Sequence, residues 1–84
     1  MIEPTLEETI RQIFATILQL SPQEVSPGLS PDTCERWDSL NHIHLINAIN
    51  ETLEVDLSVE QQVEILNFDL ALEVVSEVVQ EKRK

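Results

Sequence analysis

The residues that could do chemistry cluster at one point of the chain, Trp37-Asp38-Ser39-Leu40, with His42 and His44 just after them. Asp is a favoured helix N-cap, because its carboxylate accepts from amides of the first turn. With Asp38 as the cap, Ser39 stands at the first helical position and is exposed. Amides at such a position lack intrahelical acceptors, and the helix end favours an anion. A phosphodiester on the Ser39 hydroxyl would sit in a suitable field. Nothing in the sequence activates that hydroxyl, so an outside enzyme would have to do so. Taken alone, Asp-Ser at a helix start is ordinary capping.

The competing chemistries are weaker. His42 and His44 are two apart, which on a helix turns them about 200° from each other, too far to share a metal. Ser39 and His42 at i, i+3 permit a nucleophile–base pair, but no orienting carboxylate or oxyanion donor set accompanies them. Cys34 is the only cysteine, which excludes an intramolecular disulfide and a CxxC metal pair. With Arg36 as its only basic neighbour it reads as a bystander in a loop. No EF-hand loop, phosphate-binding glycine loop or zinc spacing occurs. None of this makes an enzyme.

The elements that would position Ser39 follow from periodicity and caps. Leu6, Ile10, Ile13, Phe14 and Ile17 repeat at helical spacing, predicting a helix from about Thr5 to Leu20. Thr5 and Glu8 read as its capping box, and Ser21-Pro22 as its end. Residues 21–38 hold three of the four prolines and the only glycine, and form a long loop of the kind that is often functional. Val25 and Leu29 should pack on the helices, with Trp37 partly buried. A second helix is expected from Ser39 to about Leu53. Its inner arc should hold Ile43, Leu45, Ile46, Ile49 and Leu53, with His42 inside the arc. Leu40, His44, Asn47 and Glu51 fall opposite, and Asn50 near the margin. Ser58 should cap a short third helix, Glu60 to about Ile65, with Val59, Val63 and Leu66 as its apolar residues. Asn67 should cap a fourth, Phe68 to about Gln80, with the stripe Phe68, Leu72, Val75 and Val79. The fold class is all-α: a small four-helix bundle of three long helices and one short third helix, with a long loop between helices 1 and 2.

At 84 residues the chain makes one domain, 1–84, with a modest core and little room for a deep cleft. Its formal net charge is −11, and three of its five basic residues are the last three. Such a body repels phosphate backbones and anionic membranes, and it attracts basic protein surfaces. No signal-peptide pattern and no membrane-length apolar run is found. The expected location is the cytoplasm and the expected state a monomer.

The sequence resembles the acyl carrier protein family. The family's modification motif, Asp-Ser-Leu, is matched by Asp38-Ser39-Leu40, and length, acidity, helix order, long first loop and mid-chain motif agree over nearly the whole chain. The resemblance implies that Ser39 receives 4′-phosphopantetheine from coenzyme A through a separate magnesium-dependent phosphopantetheinyl transferase. The arm's thiol would then hold acyl groups as thioesters and present them to enzymes with basic docking surfaces, as in fatty-acid or polyketide synthesis. It also implies a partner face on the second helix: Leu40, Ile43, His44, Asn47, Asn50 and Glu51. His44 and Asn50 stand where the fatty-acid-synthesis pattern is acidic, and Asn47 where it is apolar. Residues 37–43 look more like stand-alone carriers of specialised pathways. The alternatives are an aminoacyl or peptidyl carrier of the same fold, and an acidic interaction module with no covalent arm.

Overall fold

Pro4 opens the first helix, where its missing N–H costs nothing and its fixed φ suits the first turn. The computed structural model describes residues 4–82. It comprises α1 (Pro4–Leu18), a 3₁₀ turn (Pro22–Glu24), α2 (Ser39–Leu53), α3 (Val59–Glu64) and α4 (Phe68–Lys82). The described residues are thus all-helical, with four α-helices and no strand. None of these helices is long and apolar enough to cross a membrane.

The expected Thr5–Glu8 capping box does not form. Thr5 lies inside the helix that Pro4 begins, and its carbonyl accepts from the Thr9 hydroxyl at 2.9 Å. α1 also stops at Leu18 rather than Leu20. Gln19 takes a left-handed conformation (φ 57°), and the Leu20 amide returns to the Ala15 carbonyl at 2.9 Å. That pairing, the Schellman arrangement, satisfies carbonyls the helix leaves free. Arg36 completes the stop by donating to the Gln19 carbonyl at 2.8 Å. α2 ends the same way, with Glu54 left-handed (φ 54°) and Val55 N–H on the Asn50 carbonyl at 3.1 Å. Lys82 donates to the Glu54 carbonyl there, which accompanies the extension of α4 past the expected Gln80. The three described cations, Arg11, Arg36 and Lys82, each donate to a backbone carbonyl of another element.

The core centres on Phe14, which meets Trp37 edge-on at 5.2 Å and 83° and Phe68 at 5.1 Å and 78°. Offset edge contacts of this kind are favoured by the ring quadrupoles. Ile10, Leu18, Leu45, Ile49 and Val75 close around them. The loop is part of this core. Val25 and Leu29 are buried as expected, whereas Trp37 is fully rather than partly buried, at 2 % exposure. Carbonyls of Leu29 and Pro27 accept from the Phe68 and Asp69 amides at 2.9 and 3.1 Å, so the loop also caps α4. Asn67 supplies a third acceptor there, to the Leu70 amide at 2.8 Å.

α3 is one residue out of the expected register, Val59–Glu64 rather than 60–65. Ser58 and Gln61 form a reciprocal box at its start, with Ser58 Oγ accepting from the Gln61 amide at 3.1 Å and Gln61 Oε1 from the Ser58 amide at 2.8 Å. Ile65 then leaves the helix to plug the core, at 2 % exposure, which terminates it.

Candidate functional site

Asp38 is the N-cap of α2, as its residue type and position require: its Oδ1 accepts from the Asn41 amide at 2.8 Å. The His42 amide goes to the Asp38 carbonyl at 2.9 Å. Asn41 adds a second tie, donating from Nδ2 to the Arg36 carbonyl at 2.6 Å. The loop is therefore pinned at the residue before Trp37 and at the cap itself. Ser39, first residue of α2, is exposed. Its own amide and that of Leu40 stay as first-turn donors, which an anionic group on the Ser39 oxygen can meet.

Beside Ser39 runs an open groove of about 640 Å³ between α2, α3 and the loop end. Trp37, Ile43, Val63, Ile65 and Leu66 give it an apolar wall, and Asp38, Ser39, His42 and Gln62 its polar edge. Ile43 is a correction to the expected inner arc, since it is 55 % exposed. α3 is too short, and its apolar residues too outward, to cover it. Val59, Val63 and Leu66 are 74 %, 64 % and 63 % exposed. Their spacing of four and seven was visible in the sequence, but spacing alone does not tell an inward stripe from an outward one.

His42 is half-buried and used at both nitrogens. Nδ1 accepts from Trp37 Nε1 at 3.0 Å, and Nε2 lies 3.1 Å from the Gln62 carbonyl. Both nitrogens are engaged with Trp37 and Gln62 and neither is bonded to Ser39, which argues against the nucleophile–base pair. It also removes His42 as a free metal ligand. Among the described residues no group of three His, Cys, Asp or Glu side chains could hold a metal ion. Cys34 is buried rather than loose in the loop.

The proposed partner-face residues divide. Leu40, His44, Asn47 and Glu51 are exposed, Leu40 by 62 %, and share the outer side of α2. Ile43 turns toward the groove. Asn50 is half-buried and committed to the fold, its Oδ1 accepting from the Leu57 amide at 3.1 Å. Val63 of α3 and Leu66 just after it are exposed as well and line the groove with Ile43. No protein-family model matches the chain.

Proposed function

We propose that the chain is an acyl carrier: a protein that holds acyl groups as thioesters on a 4′-phosphopantetheine arm attached to Ser39, and is not itself an enzyme. The observation that carries the reading is an exposed serine at the first position of a capped helix, bordering an apolar groove. The motif Asp38-Ser39-Leu40 agrees with it. The residues fit such an arm. The Ser39 hydroxyl is open to an outside transferase, and Asp38 keeps its carboxylate on the Asn41 amide.

When attached, the arm supplies a thiol that forms the thioester. Everything else falls to the chain's own residues. Asp38 fixes the helix start, so that Ser39 points from a rigid element rather than a loose loop. The first-turn amides of α2 accommodate the phosphodiester. Trp37, Ile43, Val63 and Leu66 offer apolar cover to a carried group, which favours an acyl cargo over an aminoacyl one. A tether also raises the effective concentration of the cargo at each partner site. The acidic body steers encounter with basic enzymes, while Leu40, His44, Asn47 and Glu51 make the close contacts. His44 and Asn47 supply hydrogen bonds there instead of charge and apolar contact, which suits a dedicated loading enzyme of a specialised pathway.

The test is incubation with coenzyme A, magnesium and a broad-specificity phosphopantetheinyl transferase, followed by intact mass. The expected result is a gain of one phosphopantetheine, abolished by Ser39→Ala. No gain, or undiminished gain by Ser39→Ala, rejects the reading and leaves an acidic interaction module.

A further inference from the structure

His42 links three elements at once, and its two partners dictate its protonation state. The indole nitrogen of Trp37 has only a proton to give, and the Gln62 carbonyl can only accept. The ring must therefore be neutral, bare at Nδ1 and protonated at Nε2. Its bond to the Gln62 carbonyl is the only hydrogen bond joining α2 to α3 among the described residues. The two ring planes of Trp37 and His42 lie within 15° of each other, with centroids 6.1 Å apart.

We propose that His42 is a proton-operated latch that holds α3 against α2 and sets the width of the groove beside Ser39. A second proton would put an N–H on Nδ1, facing the N–H of Trp37, donor against donor. Trp37 is buried and held edge-on by Phe14, so it has little room to turn. The His42 ring is half-buried and is the part that moves. Moving it breaks the bond to Gln62. α3, which packs on α4, then loses its direct hydrogen bond to α2. By linkage, proton uptake favours the open groove, so α3 loosens as pH falls.

Few charged side chains border the groove. Asp38, from the loop, is the one charged side chain lining the groove. α3 contributes Gln62 and Val63 there, while its carboxylates Glu60 and Glu64 are exposed. The latch stands on these hydrogen bonds alone and does not depend on a carrier role for Ser39.

The test is amide hydrogen exchange on the full chain from about pH 8 to about pH 5.5, a range that titrates imidazole and leaves ordinary carboxylates charged. Protection factors of the Gln62 and Ile65 amides should fall about five- to tenfold, the loss of one or two hydrogen bonds. Those of Ile10 and Phe14 in α1 should hold. His42→Gln can accept from Trp37 and donate to Gln62 without titrating, so its α3 protection should be flat with pH. Trp37→Phe removes the opposing donor and should also blunt the response. His44→Gln should leave it intact. Flat protection in the wild type, or an undiminished response in both His42→Gln and Trp37→Phe, overturns the latch.

Discussion

Added salt should stabilise this fold, and the size of the effect follows from its charge and radius. The chain carries a formal −11 within a radius of gyration of 11.7 Å, equivalent to a uniform sphere of about 15 Å radius. Smeared over such a sphere in water, that charge repels itself by ~11 kcal/mol at a Debye length of ~30 Å and by ~6 kcal/mol at ~8 Å. An unfolded chain of this length, with a radius of gyration near 28 Å, retains only ~3 and ~1 kcal/mol. Raising ionic strength from about 0.01 M to about 0.15 M therefore favours the folded state by about 3 kcal/mol. The opposing loss is small. Arg11–Glu7, at 3.0 Å, is the only ion pair among the described residues, and both side chains are partly exposed. An i, i+4 pair of this kind is worth only about 0.3–0.5 kcal/mol. Repulsion wins, and the melting temperature should rise by roughly 10–20 °C. The assay is thermal unfolding by circular dichroism across a sodium chloride series at neutral pH. The rise should be steepest below about 0.2 M, where the Debye length passes through molecular dimensions. A flat or falling curve would refute the reasoning.

Asp38→Ala removes the acceptor of the Asn41 amide, at a cost of about 1 kcal/mol and some 4–8 °C in melting temperature. Measured in about 0.5 M salt, where the relief from deleting a charge is screened, the drop should exceed that of Ser39→Ala, whose hydroxyl makes no hydrogen bond among the described residues. Glu24 should titrate below the ordinary glutamate value in carboxyl-carbon NMR. Its carboxylate accepts first from the Ser21 backbone amide at 2.9 Å and then from the Ser21 hydroxyl at 3.0 Å, with Arg36 adding attraction, and these outweigh a slight desolvation. Because its folded value is lowered, what Glu24 contributes is present above the ordinary carboxylate range and is lost as pH falls through the lowered value. Ser21→Ala should return the titration part of the way, since the backbone donor remains. An unchanged titration in that variant would exclude the hydroxyl as a cause.

The Ser39 position was legible in the sequence because a cap is a local device. Asp38, Ser58 and Asn67 each bond an amide three residues on, and such bonds depend on residue type and order alone. The stripes of α1 and α4 were legible for a related reason, since a helix of four turns has room to declare its period. The ends of α1 and α2 were less legible, because Gln19 and Glu54 adopt left-handed conformations without being glycine. They are backed by distant cations, Arg36 seventeen residues from Gln19 and Lys82 twenty-eight from Glu54. Tertiary structure alone decided which way α3 faces. Val59 and Val63 have the spacing of a buried stripe, yet Ile65 takes the core position and turns them outward. It also decided the role of His42, which sequence reading placed on an arc without partners. Trp37 and Gln62 lie five residues before it and twenty after it. Only folding brings them to its two nitrogens, because a side chain's helical phase fixes its direction and leaves open what it will meet.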